Sequence, residues 1–253
     1  MVLLKSEDIS MYFGGVKAVD HVDLTVEEGQ ILGIIGPNGS GKTTFFNVLT
    51  GLYKPTSGHF LFQGKDITNW PPHRIAQAGI GRTFQNIRVF KNTSVLENVL
   101  VGEHMKLQAT LLGALIRTPA QKREEKMARK KAEELLDFVK LSNKIHEFSA
   151  NLAYGEQRRL EIARALASQP KLLLLDEPTA GMNPSEADQV IQLFHSIHDL
   201  GVTIILIEHN MQVMMGTAER IVAFGAGTKI AEGTPKEIQY NQRVIQAYLG
   251  EEE

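Results

Sequence analysis

An aliphatic run, Ile31-Leu-Gly-Ile-Ile35, leads directly into Gly36-Pro-Asn-Gly-Ser-Gly41-Lys42-Thr43, and the following Thr-Phe-Phe-Asn-Val-Leu has helical spacing. The pattern G-x-x-x-x-G-K-[ST] between a buried strand and a helix is a phosphate cradle. Its glycines let backbone N–H groups converge on a β-phosphate, and the helix N-terminus adds the positive end of its dipole. Lys42 reaches the β- and γ-oxygens, and Thr43 offers a hydroxyl to Mg²⁺. Pro37, Asn38, Gly39 and Ser40 complete the loop and Thr44 continues it. Given the usual frequencies of Gly, Lys, Ser and Thr, chance supplies about 0.01 such matches in a chain of this length. A nucleoside triphosphate is the ligand such a loop accepts.

Further aliphatic runs end in polar, chemistry-bearing residues: LLLL (172–175) before DEPTAG, and VTIILI (202–207) before EH. Short apolar runs of this kind, separated by helical or polar patterns, read as parallel strands covered on both faces. The fold class is therefore α/β, a P-loop NTPase core with a parallel sheet. TTFFNVLTGL reads as a helix stopped at Gly51 with Pro55 beyond. Residues 2–26 and 58–68 alternate and carry glycine turns, which predicts an antiparallel β subdomain; residues 221–233 read as a late hairpin. Between about Val89 and Leu166 strand-like runs vanish, so an inserted helical subdomain (89–166) interrupts an ATP-binding core of residues 1–88 and 167–253. There QKREEKMARKKAEELLDFVKL places Ala128, Ala132, Leu135, Leu136 and Val139 on one stripe.

Composition narrows the function. The 253 residues include 27 Lys plus Arg and 29 Asp plus Glu, a formal charge of −2, which does not suit a protein that grips a nucleic-acid backbone by bulk charge. The basic residues between Lys122 and Lys131 are interleaved with glutamates, as on a solvated helix face with i,i+4 pairs. With no Cys there is no disulfide framework and no thiolate chemistry, which favours a cytoplasmic location. The N-terminal MVLLKSED has no apolar leader, and no apolar run approaches the roughly 18 residues a membrane span needs.

The second half of the site follows the second strand. LLLLD delivers Asp176 to the sheet rim, where a carboxylate holds Mg²⁺ directly or through water. Glu177, one residue on, is placed to orient or deprotonate an attacking water. His209 arrives at the same rim behind VTIILIE; it either contacts the γ-phosphate or the water, or is structural.

Together these stretches resemble the nucleotide-binding subunit of an ABC transporter, over essentially the whole chain. GPNGSGKT is similar to that family's Walker A loop and LLLLDEP to its Walker B strand with the catalytic glutamate. FQN (84–86) resembles the loop whose glutamine, here Gln85, touches Mg²⁺ and senses the membrane partner. His209 matches the switch histidine, and Phe13 in MYFGG matches the aromatic residue that stacks on adenine, with Tyr12 as the adjacent competitor. LAYGEQRR (152–159) resembles the signature, which implies contacts from Ala153, Tyr154, Gly155 and Glu156 to the nucleotide of a second subunit. Most relatives carry Leu-Ser-Gly-Gly-Gln where Leu152-Ala153-Tyr154-Gly155-Glu156 stands, so the serine hydroxyl contact to the γ-phosphate is absent. Gly155 and the N-terminus of a helix running from about Glu156 to Ala167 remain. Asn183 stands where the family usually has aspartate.

A narrower resemblance rests on GIGRTFQNIRVF (79–90), TSVLENVLVG (93–102), the long stretch after His104 and the terminal VIQAYLGEEE. These are similar to the ATP-binding subunit of bacterial branched-chain amino acid importers. That resemblance implies ATP and Mg²⁺ as cofactors, a homo- or heterodimeric second ATPase subunit, integral membrane permeases and, indirectly, a periplasmic solute-binding protein. It also implies peripheral attachment at the cytoplasmic face of the inner membrane. A permease helix is expected to dock near Gln85–Phe90. Residues 107–119, LQATLLGALIRTP, pack either against a permease or the membrane surface, or within the helical subdomain. An ATPase of lipopolysaccharide export, or a soluble one of iron–sulfur assembly, are the alternative readings. A DNA-repair or translation ATPase of this family would need a longer chain, and a P-loop kinase would leave the signature and DEP segments without a task.

Overall fold

A computed structural model of the protein describes residues 1–103 and 119–249. The chain divides into two compact units, Met1–Ile80 with Lys171–Glu253, and Gly81–Pro170.

In the first unit, β1 (Val2–Phe13) and β2 (Val16–Glu27) form a long antiparallel hairpin about Gly14-Gly15. β3 (Ile31–Ile35) follows, buried at every residue, and passes through the phosphate loop into α1 (Lys42–Leu49). β4 (Ser57–Phe62) pairs antiparallel with β1, and the short β5 (Lys65–Asp66) pairs with β4, which completes the antiparallel sheet in the order β2-β1-β4-β5. The alternating residues 2–26 and 58–68 thus form the expected sheet, because period-two patterning buries one face only. After α2 (Pro72–Gln77), β6 (Ile80–Arg82) is the edge strand of a second sheet, and the division between the units falls within it.

The chain returns to this sheet at β7 (Leu172–Asp176), and later at β8 (Thr203–Ile207), both buried at every position. β9 (Arg220–Gly225) and β10 (Thr228–Gly233) form the late hairpin. The order is β10-β9-β3-β8-β7-β6, with β3, β7, β8 and β9 parallel where registered: Ile34 lies opposite Ile207, and Asp176 opposite Ile207. The loops after β3, β7 and β8 therefore leave one edge of the sheet.

One core serves both sheets. Phe45 of α1 meets Phe60 of β4 edge-on at 5.5 Å and Phe224 of β9 at 5.7 Å, all fully or nearly fully buried. Each such aromatic pair contributes roughly 0.5–1.5 kcal/mol beyond its area. The helix carrying the phosphate loop is thereby fixed to both sheets.

The second unit holds α3 (Val95–Glu103), α4 (Pro119–Phe138) and α5 (Tyr154–Ala167). Ala128, Ala132, Leu136 and Val139 are buried and Leu135 is half-buried, as the stripe predicts. On the outer face, Arg129 pairs with Glu133 at 3.0 Å and Lys130 with Glu134 at 3.5 Å, so the basic run is a solvated helix face. Residues 107–118 of the apolar stretch, and the last residues of the C-terminal motif, lie outside the described residues. In the first unit again, α6 (Pro184–Asp199) and α7 (Met211–Thr217) follow β7 and β8, and α8 (Pro235–Gln239) and α9 (Gln242–Leu249) follow β10.

Candidate functional site

The phosphate loop has the backbone its sequence asks for. Gly41 sits at φ +99°, and a Cβ there would come within 2.2 Å of the Ala18 carbonyl oxygen, so only glycine fits. Asn38, Gly39 and Thr43 are exposed at the lip, while Gly36, Pro37, Ser40 and Gly41 are buried beneath it and Thr44 is half-buried. The Lys42 ammonium lies within the loop and donates to the carbonyls of Gly36 and Pro37, both at 2.7 Å, and to Ser40 Oγ at 3.3 Å. A buried ammonium held by two carbonyls and a hydroxyl can exchange these partners for phosphate oxygens.

Asp176 ends β7 at the sheet edge, 1% exposed, and Glu177 follows with its N–H donating to the Ile207 carbonyl at 2.9 Å. Glu177 stands at φ +47°, a left-handed conformation that costs a β-carbon residue of order 1–3 kcal/mol and persists where neighbours over-determine it. Its Oε1 contacts His209 Nε2, so two residues predicted separately are side by side. The reason is topological: β7 and β8 are parallel neighbours, and both residues lie just beyond their ends.

Sequence reasoning missed what holds this pair. Glu208 is buried, 3% exposed, and one carboxylate oxygen accepts from Thr179 N–H at 2.8 Å and Thr179 Oγ1 at 2.5 Å. Its other oxygen accepts from the His209 N–H at 3.2 Å. One carboxylate thus ties the segment after Glu177 to the segment carrying His209. An acidic residue directly continuing a fully buried strand was the available signal.

Phe13, 43% exposed at the end of β1, meets the Tyr53 ring edge-on at 5.3 Å. Tyr12, its competitor, directs its hydroxyl to Asp20 Oδ1 at 2.5 Å and lies under Lys17. Asp20 is held below the usual carboxylate range, first by that hydroxyl and then by Lys17.

In the helical unit, Gln85 is exposed and its carbonyl accepts from Arg158 NH2 at 2.7 Å. Arg158 NH1 also donates to the Phe84 carbonyl at 2.6 Å and to Glu161 Oε2 at 2.8 Å, and Glu161 Oε1 accepts from the N–H groups of Phe84 and Arg88. Burial pushes the Glu161 carboxyl up, and Arg158 opposes it. The signature helix therefore grips the backbone of the glutamine loop. That helix begins at Tyr154, with Ala153 at its N-cap, two residues before the predicted start. Glu156 Oε2 accepts from the Ala153 N–H at 3.0 Å and from Lys144 at 2.8 Å, so the glutamate closes the first turn that alanine cannot cap. Gly155 consequently lies inside the first turn, and Ala153 and Tyr154 are exposed there. Asn183 caps α6, with its Oδ1 accepting from Glu186 N–H at 3.0 Å.

Among the described residues no group of three or more His, Cys, Asp or Glu could hold a metal. Thr43 and Asp176 are hard oxygen donors, which suits a small divalent cation that takes its remaining ligands from phosphate and water.

Comparison with known proteins places these features. Residues 19–180 match the family "ABC transporter", and residues 228–253 match "Branched-chain amino acid ATP-binding cassette transporter". The chain is 45% identical over 250 residues, 98% of each sequence, to the high-affinity branched-chain amino acid transport ATP-binding protein BraF of Pseudomonas aeruginosa. It resembles the ADP conformation of an ATP-binding cassette of an ABC transporter with a TM-score of 0.87 and 36% identity over 99% of both chains. It also resembles a dimeric post-hydrolysis cassette bound to ADP and Pi, with a TM-score of 0.77 and 26% identity over 92% of this chain and 99% of that one.

Proposed function

The chain belongs to the ABC transporter family and is an ATPase, and from that premise we propose that it powers an importer of branched-chain amino acids. The observation that carries the catalytic reading is the contact of Glu177 with His209 beyond the ends of adjacent strands. Support for the solute comes from the match over residues 228–253 and from the identity to BraF.

Phe13 stacks on adenine, since the hydroxyl of Tyr12 is engaged with Asp20. The backbone from Gly36 to Gly41, with Ser40, Lys42, Thr43 and Thr44, holds the phosphates. Glu177 accepts a hydrogen bond from the attacking water, and His209 holds that carboxylate in place and reaches the γ-phosphate. Thr43 and Asp176 would hold Mg²⁺, with Gln85 the further ligand that the family resemblance implies, and the ion would supply positive charge to offset that of the phosphates.

Two chains bind two ATP molecules head to tail, each offering its Ala153–Glu156 turn to the nucleotide on the other; that a similar cassette is dimeric supports the pairing of two chains. Without a serine, the anion meets the Gly155 N–H and the α5 dipole. To move an open-to-closed balance from 1:99 to 99:1, ATP must favour the closed dimer by about 5.5 kcal/mol. Among the described residues no helix is long and apolar enough to cross a membrane. The span belongs to separate permeases, to which this subunit binds at the cytoplasmic face of the inner membrane, with a periplasmic binding protein delivering solute.

Reconstituted in liposomes with its permeases, the chain will hydrolyse ATP faster when a leucine-loaded binding protein is added, by roughly tenfold, a typical allosteric coupling. A response to an unrelated binding protein, and none to leucine, would overturn the solute. Arg88, exposed and stacked over the Phe84 ring at 4.2 Å, lies in the proposed permease-docking segment. Arg88→Glu will uncouple transport and leave the ATPase activity of the free subunit; unchanged transport would move the docking site elsewhere.

A further inference from the structure

The last helix among the described residues reaches the first residue of the phosphate loop. Tyr248, on α9, accepts a hydrogen bond at its hydroxyl from the Gly36 N–H at 3.0 Å, across 212 positions of sequence. The path back is fixed joint by joint. Thr234 and Glu237 cap α8 reciprocally, Asn241 Oδ1 accepts from the N–H groups of Arg243 and Val244 at the start of α9, and Val244 is buried. A second contact lies at the other end of the loop, where the Gly227 N–H of the β9–β10 turn donates to the Ser40 carbonyl at 3.2 Å. Gly36 itself has no room to shift: a Cβ there would come within 2.4 Å of the Phe224 carbonyl oxygen and 2.6 Å of Ser40 Oγ. The stretch from Gly36 to Ser40 is thus held at its start by Tyr248 and at its end by Gly227.

We propose that Tyr248 is a positioning residue for nucleotide binding: its hydroxyl fixes the start of the phosphate loop, so that the C-terminal helix sets the affinity for ATP and ADP. The physical reason is pre-organisation. A loop whose N–H groups already point inward spends no binding free energy on ordering itself. Tyr248 acts through the Gly36 backbone, so its hydroxyl serves the ground state and the transition state alike, which changes KM and leaves kcat.

The proposal rests on the assignment of Gly36–Thr44 to the phosphates, and one experiment separates the two. ADP binding to the full chain is titrated for the native protein, Lys42→Ala and Tyr248→Phe, with ATPase kinetics and thermal melting for the last. Tyr248→Phe is expected to weaken ADP roughly three- to tenfold, the loss of about one hydrogen bond. KM for ATP rises by the same factor, while kcat changes less than about twofold and the melting temperature less than about 2 °C. Native ADP affinity in Tyr248→Phe would overturn the proposal and leave the loop assignment standing. A fall in kcat together with a melting temperature lowered by more than about 5 °C would overturn it in favour of a packing role. Native affinity in Lys42→Ala would remove the loop assignment, and the proposal with it.

Discussion

Glu177→Gln will bind ATP and hydrolyse it about 10²- to 10⁴-fold more slowly than the native chain, the range a positioned general base supplies. The substitution keeps the size of the side chain and its reach toward His209, while removing the charge that draws a proton from water. Because binding is untouched, the two-chain complex accumulates with ATP enclosed. Size-exclusion chromatography with ATP is expected to show more dimer for this variant than for the native chain, and a single-turnover assay almost no phosphate release. Ordinary turnover in this variant would take Glu177 out of its role and leave His209 or the loop backbone to orient the water. The left-handed backbone at Glu177 sharpens the expectation, since replacement by glycine would relax the conformation and remove the carboxylate together.

Arg158→Leu will destabilise the protein by about 3–5 kcal/mol, because it leaves the Glu161 carboxylate buried without its cation. Arg158 is fully buried and Glu161 is 1% exposed, so no water replaces the lost partner. The carbonyls of Phe84 and Gln85 lose their donors in the same step. For a chain of this size melting as one unit, that loss corresponds to a drop of roughly 6–20 °C in the melting temperature, read by calorimetry. The double replacement Arg158→Met with Glu161→Leu is expected to restore much of the stability while loosening the glutamine loop. A melting curve within about 2 °C of native for Arg158→Leu would mean that the pair contributes nothing net.

These residues mark the boundary of what a single sequence reveals. The strands 31–35, 172–176 and 203–207 were legible because parallel strands buried on both faces are written as unbroken aliphatic runs. The residues that continue them, Gly36–Thr43, Asp176–Glu177 and His209, could be singled out because ligands of open α/β sheets bind beyond the strand ends, and the fold does put them there. Arg158 and Glu161 were not, since in QRRLEIARAL they have the look of charges on a helix surface, and only the fold shows the backbone they clasp. Tyr248 was invisible for the same reason in sharper form: its partner is at the opposite end of the chain. The start of α5 was set two residues late because Ala153 gives no capping signal, whereas Glu156 supplies the cap from inside the helix. Glu208 was passed over because a glutamate beside a histidine is ordinary in sequence, and its three donors become visible only in space.

The Gly79 carbonyl, directly before β6, accepts from the N–H groups of both Lys171 and Leu172, at 2.8 and 3.1 Å, so the two ends of the intervening segment are stapled together. Everything between is, for the folding of the sheet, a single closed loop. The entropy of closing such a loop grows only with the logarithm of its length, about 0.6 kcal/mol for each doubling. A change in the number of residues between Gly81 and Pro170 therefore adds little to the entropy of closing the strands on either side. A lineage can refit the rest of this segment to a new membrane partner, provided that Gln85 and the Ala153–Glu156 turn, which the proposed mechanism uses, keep their places.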